Sequence, residues 1–464
     1  MDDNTSRRFE HVQDVLGQLT SLQVYTTMAV GFFVDEEPES IIQELHRAAD
    51  QLVVAFPFLG GHVIRRGSGP GRTGLASVVP YPTGERRSLV MVKDCQSLCP
   101  SMDTILAAGA PMDMLDGAML TSRGGGPHQY DESTGYKSVL EIQVNLIQRG
   151  LIVVFQGNHN IMDMNGMGHL IRLYAKVLCG ESFAEADVSV GNQDRRNIVK
   201  LLDPAQLPDM SRYMPRAVAN THGRPETQTS SSNVRWAYFH FSADNLESLK
   251  RAASKPPSKP CNATSVPWVT TDDALSAWLC QRIIIARLKR LPKVPQATIC
   301  RAVNARRFLE PPIAKEYTGH AVTCVYTGVS LDDPLATEDL SSLAHRMRAD
   351  VLAIKSLDIQ SFATKLDSLD NKGELSFGSR LDLSAFDMTI SSWSALGVGM
   401  VKFGEILGRP LFAKRPRLDN IESIIYLMPR TPEGHIDVAC CLRDEDVKIL
   451  QNDEAFTKFG RYIG

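Results

Sequence analysis

At 464 residues, with 43% hydrophobic and 22% charged side chains, the chain is ordinary for a globular protein and long enough for two domains of roughly 200 residues. Its 50 Lys+Arg against 53 Asp+Glu give a net charge of -3, which excludes a broad nucleic-acid footprint. Nine cysteines, an odd count with no repeated Cys-x-x-Cys spacing and several in apolar segments, fit reduced core residues of a cytoplasmic protein and no structural zinc or other metal site.

Residues 1–8 are polar and lead into no apolar core, so no signal peptide is expected. No apolar run reaches the length of a membrane span, and neither a membrane nor a nucleic acid is expected as a partner. Residues 24–34 read as a strand. A helix is expected from about 40 to 55, opened by a Ser40/Gln43 capping box, with Ile41, Ile42, Leu45, Ala49, Leu52 and Val53 at helical spacing. His46 and Asp50 then share a solvated helix face. Gly69, Gly71 and Gly74 spell Gly-x-Gly-x-x-Gly, but a strand-like stretch, 75–79, follows where a dinucleotide fingerprint needs a helix. The segment is expected to be a hairpin loop.

Residues 139–147 alternate, and Arg149-Gly150 turns the chain into the apolar run Leu151-Ile-Val-Val-Phe155, a buried strand. Gly157 and Asn158 end it. His159 falls just past the strand end, Asp163 four residues on, and a helical pattern begins after Gly166, running to Gly180. The spacing His-x-x-x-Asp is weak, since His46 and Asp50 repeat it on a helix face. The strand-end context is what singles out His159: a rigid strand delivers a polar base to a loop.

Residues 200–233, rich in proline and ending in the polar run Thr227-Gln-Thr-Ser-Ser-Ser-Asn233, read as a crossover between halves. The second half restarts with a strand at 236–241 and a helix capped by Ser242. A long helix follows from Thr270 to about 290, then strands at 298–303 and 319–329, a helix from about 337 to 356, and a strand at 386–393. Strands at 421–428 and 435–442 and a helix at about 444–459 close the chain. Strands and helices mix without strict βαβ alternation, so the fold class is α/β of the mixed α+β kind and not a Rossmann fold. The divisions expected are 1–200, a linker at 201–233, and 234–464. The basic cluster Lys414-Arg415-Pro-Arg417 reads as a solvated loop or a phosphate contact.

There is no Gly-x-Ser-x-Gly elbow and no Walker loop. A histidine with a pKa near 6.5 can take a proton from a hydroxyl at neutral pH, and a lone base with no nucleophile of its own fits direct attack by a substrate hydroxyl on an activated acyl group.

The chain resembles the BAHD acyltransferase superfamily, and within it the fungal trichothecene 3-O-acetyltransferase branch. The resemblance runs through Leu16-Gly-Gln-Leu19, Phe56-Pro-Phe-Leu-Gly-Gly61 and His159-Asn-Ile-Met-Asp163 with Met164-Asn-Gly166. It continues in Thr271-Asp-Asp-Ala-Leu-Ser-Ala277, Arg301-Ala-Val-Asn-Ala-Arg306, Tyr317-Thr-Gly-His320, Ser391-Ser-Trp393 and Leu442-Arg-Asp-Glu-Asp446. It implies two similarly folded domains of the chloramphenicol acetyltransferase type, a monomer, and an active site in the channel between the domains. Acyl-CoA, most simply acetyl-CoA, enters from one face as co-substrate and an alcohol of a fungal terpenoid or polyketide from the other. It implies His159 as general base, Asp163 turned away and held by Arg306, Ser391 as oxyanion donor and Trp393 lining the acceptor channel. Thr271, Asn304, Lys402 and Gly404 are implied on the CoA side.

One departure stands out. The family's Asp-Phe-Gly-Trp-Gly motif becomes Lys402-Phe-Gly-Glu-Ile-Leu-Gly408, which reverses a charge and removes a tryptophan. It motivates an alternative: a relative that binds an apolar metabolite, or templates another reaction such as cyclisation, without transferring an acyl group. Pocket shape is expected to depend on 100–136 and 360–385.

Overall fold

The computed structural model describes residues 9–464 except 35–37, 86, 124–134, 216–232, 258–265, 293 and 332–338. The strands are β1 (Tyr25–Phe33), β2 (Gly61–Arg66), β3 (Leu75–Pro80), β4 (Val90–Asp94), β5 (Leu140–Ile147), β6 (Gly150–Asn158) and β7 (Val234–Phe241). They continue with β8 (Gln296–Asn304), β9 (Val322–Ser330), β10 (Met388–Ser392), β11 (Phe412–Lys414), β12 (Ile424–Leu427), β13 (Ile436–Arg443) and β14 (Gly460–Tyr462). Two main sheets result, in the orders β11-β1-β6-β5-β4 and β14-β7-β13-β12-β10-β8-β9, with β2-β3 as a separate hairpin. The mixed α/β class and the two-sheet architecture are as expected.

The apolar run 151–155 lies at the centre of the first sheet, so β6 is buried along its whole length. It pairs with β1 from Tyr25↔Asn158 to Phe33↔Gly150 and with β5 from Leu140↔Gly157 to Ile147↔Gly150. The helices Pro38–Ala55 and Met164–Leu178 cover this sheet and share one apolar cluster that includes Leu45, Leu52, Leu170 and Tyr174. The second sheet packs beneath the helices Ala243–Ala253 and Thr271–Arg287, with Ser242 and Thr270 as their caps. The Gly-rich segment 67–74 is the β2-β3 hairpin loop, with Arg66 opposite Leu75.

Four expectations change. The helix expected to open at Ser40 opens at Pro38, so Ser40 lies inside its first turn and does not cap it. The helix expected at about 337–356 ends at Leu352, and a second helix, Ser356–Ser368, follows in a stretch read as loop. Its apolar face, Ile359, Phe362, Ala363 and Leu366, packs on Leu16 and Leu19. The closing helix breaks at Asn452, and the last strand, β14, pairs with β7. Finally, β11 pairs with β1 through Ala29↔Lys414, so a strand from late in the chain completes the first sheet. Of the crossover at 201–233, residues 201–215 and Asn233 are described; the rest of that expectation, 216–232, lies outside the described residues.

Candidate active site

The end of β6 and the cap of the next helix position His159 and Asp163. His159 follows the strand, and its backbone N–H donates to the Val24 carbonyl at 3.0 Å. Its Nδ1 lies 3.1 Å from the Met162 carbonyl. A carbonyl only accepts, so Nδ1 carries the proton and Nε2 keeps its lone pair. Burial lowers the His159 pKa below the ordinary histidine value, against the opposing pull of the Met162 carbonyl and Asp163. The side chain is thus a neutral imidazole with a free basic nitrogen.

Asp163 faces the other way. It is fully buried and caps the helix Met164–Leu178, its Oδ1 accepting from Gly166 N at 2.8 Å. Arg306 Nη1 and Nη2 donate to its Oδ2 and Oδ1 at 2.8 and 3.0 Å, and Ala321 N adds 2.8 Å to Oδ2. Burial alone would raise the carboxyl; the guanidinium overrides it and holds the pKa at about 2. Arg306 Nη2 also donates to the carbonyls of Tyr317 and Gly319, which locks the base loop to the segment 317–321. Gly166 is required there: a Cβ would collide with the Thr318 carbonyl.

That segment brings in His320, whose ring lies 5.3 Å from that of His159. Burial pushes its pKa down to about 3, so it too is neutral. Its backbone N–H donates to Asp14 Oδ2 at 3.1 Å, and Asp14, raised by burial to about 6, also accepts from Gly17 N. Buried Arg195 donates to Thr318 Oγ1 and the Ile161 carbonyl, at 2.8 and 2.9 Å. The sequence reading assigned no role to Asp14, Arg195 or His320, although Tyr317-Thr-Gly-His320 was among the motifs noted.

His159 opens into a cavity of 1120 Å³ that runs between the two sheets. On the opposite wall stand Ser391 and Trp393, at the end of β10. Trp393 Nε1 donates to Ser391 Oγ at 3.2 Å, which leaves the serine hydroxyl its own proton to give. Asp272, in the first turn of the helix Thr271–Arg287, accepts from Ser392 Oγ at 2.5 Å and Ser394 Oγ at 2.9 Å and fixes this wall.

The structure therefore brings His159, Arg306, Thr271, Asn304, Ser391 and Trp393 to one cavity, with Asp163 held by Arg306 beside it. Asn304 also supports Arg306, its Oδ1 accepting from Nη1 at 3.1 Å. Lys402 and Gly404 are not brought there. They sit at the far end of the helix Met164–Leu178, where Cys179 Sγ meets the Lys402 carbonyl at 3.2 Å. At about 1.5 Å per residue, that end is roughly 20 Å from the helix start beside the base. Lys402 pairs with Glu405 at 2.5 Å on the exposed surface, so the reversed charge has its own partner. Of 100–136 and 360–385, only Phe377 lines the cavity among the described residues.

Residues 24–179 match a family model described as the trichothecene 3-O-acetyltransferase-like N-terminal domain, and residues 127–457 match the Transferase family. The chain is 36% identical to the O-acyltransferase pigD of Monascus ruber over 97% of this chain and 98% of that protein. It is 31% identical to the trichothecene 3-O-acetyltransferase TRI101 of Fusarium sporotrichioides over 99% and 98%. The crystal structure of F. graminearum TRI101 complexed with coenzyme A and T-2 mycotoxin superposes with a TM-score of 0.87 at 30% identity, covering 97% of this chain and 99% of that one. Vinorine synthase, at 15% identity and a TM-score of 0.61, shares the fold.

Proposed function

The chain is an acyltransferase of the Transferase family with a trichothecene 3-O-acetyltransferase-like N-terminal part, and from that premise we propose that it transfers the acyl group of acetyl-CoA to a hydroxyl of a fungal terpenoid or polyketide, with His159 as the general base. The observation that carries this reading is the placement of His159: its Nδ1 lies 3.1 Å from the Met162 carbonyl, which leaves Nε2 as the nitrogen free to accept a proton, and the residue lines a cavity of 1120 Å³.

Nε2 takes the proton of the acceptor hydroxyl as its oxygen attacks the thioester carbonyl carbon. The tetrahedral oxyanion then collapses, the C–S bond breaks, and the imidazolium returns the proton to the leaving thiolate. Ser391 donates its hydroxyl proton toward the oxyanion, a contribution that strengthens as charge develops. Asp163 stays ionised and turned away, as a positioning residue held by Arg306. Thr271 and Asn304 belong to the CoA side of the channel in this reading.

The divisions 1–200, 201–233 and 234–464 remain part of the proposal, with β11 lent to the first sheet; so do a monomeric state and a cytoplasmic location. The described cysteines are all free, which supports a reducing compartment. No described helix is long and apolar enough to cross a membrane. Thiol release from acetyl-CoA, measured with hydroxylated terpenoids and polyketides, tests the reading. Release that depends on an added alcohol supports it, and no release with any of them, or release independent of the alcohol, contradicts it.

A further inference from the structure

Arg415 follows directly on β11, lines the cavity and is only 7% exposed. Its guanidinium lies 4.3 Å from the Trp236 ring and 5.2 Å from the Tyr426 ring. The two rings stack at 5.8 Å, and Tyr426 in turn meets Trp393 at 4.8 Å. The result is a ladder of three aromatic rings leading to Ser391, with a cation beside it.

Among the described residues no carboxylate pairs with this guanidinium. Its one side-chain hydrogen bond is a long one, 3.3 Å from Nη1 to the Pro416 carbonyl. Cation–π contact offsets part of the cost of burying a charge, but leaves the in-plane N–H donors unspent. The backbone is held rigid. Tyr238 Oη donates to the Arg415 carbonyl at 2.7 Å, Arg415 N–H donates to Met428 Sδ at 3.3 Å, and neighbouring Lys414 is pinned to Asp437 at 2.7 Å. Arg415 comes one residue after the Ala29↔Lys414 pair, two strands across from β6. With about 3.4 Å per residue and 4.8 Å between strands, its backbone stands on the order of 15–20 Å from that of His159. The Arg415 and His159 side chains both line the cavity and shorten that span, and an acceptor of two or three fused rings bridges the remainder.

We propose that Arg415 and the Tyr426–Trp393 wall, with Trp236 stacked on Tyr426 as its support, form an acceptor subsite that selects a planar, conjugated alcohol or phenol carrying an anionic oxygen, such as a carboxylate. The inference rests on the O-acyltransferase reading for the word acceptor, but the subsite is measurable without transfer. A planar body lies along the aromatic wall and its anion meets the free edge of the guanidinium, a charge-assisted and directional contact. A globular, uncharged terpenoid would leave that donor edge unpaired.

The test is calorimetric binding of 6-hydroxy-2-naphthoate and its methyl ester, without CoA, to the wild type, Arg415→Gln and Arg415→Lys. The wild type is expected to prefer the acid at least tenfold. Arg415→Gln is expected to lose that preference with ester binding changed less than threefold, and Arg415→Lys to keep part of it. Equal binding of acid and ester to the wild type overturns the proposal. So does an equal loss of acid and ester binding in Arg415→Gln together with no acid preference at all in an Arg415→Lys variant that keeps the wild-type thermal midpoint. A rise in the KM for acetyl-CoA, in place of weaker acid binding, would assign Arg415 to the other substrate and likewise overturn it. Failure of the transferase reading shows separately, as absence of thiol release by a wild type that still distinguishes acid from ester.

Discussion

A histidine serves as a base only in its neutral form, and the surroundings of His159 favour that form. Burial lowers its pKa, and the adjoining imidazole, His320, is itself held neutral at about 3. The sign follows: protonation removes the base, so kcat/KM should be flat above neutrality and fall on the acid side. The midpoint of that fall should lie below the ordinary histidine value of about 6.5. A pH–rate profile with a limb above 6.5 would contradict it. Stability has its own acid limb. His320 contributes fully above the unfolded value near 6.5 and loses its contribution as pH falls toward about 3. Asp163, held at about 2, contributes above its ordinary 3.8 and fails only below that. The pair Asp163–Arg306 was legible from motif resemblance, since both residues stand in recognisable runs. The layer behind it was not, because Asp14 and Arg195 are brought to the base loop by folding alone and carry no local pattern.

The helix Met164–Leu178 connects chemistry at one end to structure at the other. Its N-terminus holds Asp163 and the base loop; its C-terminus meets the altered 402–408 segment about 20 Å away. The Lys402–Glu405 pair is exposed, and such pairs contribute about 0–1 kcal/mol. Lys402→Ala should therefore leave the KM for acetyl-CoA within about twofold and the thermal midpoint nearly unchanged; a large rise in KM, measured by steady-state kinetics, would put this segment back on the CoA path. Elements with a strong period, such as β6 and the helix Thr271–Arg287, were readable in sequence. The helix Ser356–Ser368 was missed although Ile359, Phe362, Ala363 and Leu366 follow the helical period, because its polar stretches resemble loop composition.

The two sheets are joined at the scale of the whole molecule by β11, a three-residue strand too short to announce itself, whose partner β1 lies nearly four hundred residues earlier. Lys414 fastens it. Its Nζ reaches Asp437 of β13 at 2.7 Å and the Gly109 carbonyl at 2.7 Å, from a buried position. Removing one partner of a buried pair strands the other's charge, which costs about 3–5 kcal/mol. Lys414→Met should accordingly lower the unfolding free energy by an amount of that order, and a change under about 1 kcal/mol in an equilibrium urea titration would show that the clasp does not hold the halves together. The same strand carries the chain to Arg415, so the joint between the sheets also sets one wall of the cavity. His159 stands on the other wall, and its role as the base is tested by acceptor-dependent thiol release from acetyl-CoA, wild type beside His159→Ala. General-base catalysis contributes typically 10²–10⁴-fold, and a loss of about that size in kcat is expected with folding and acetyl-CoA binding retained; full activity in the folded variant would rule the role out.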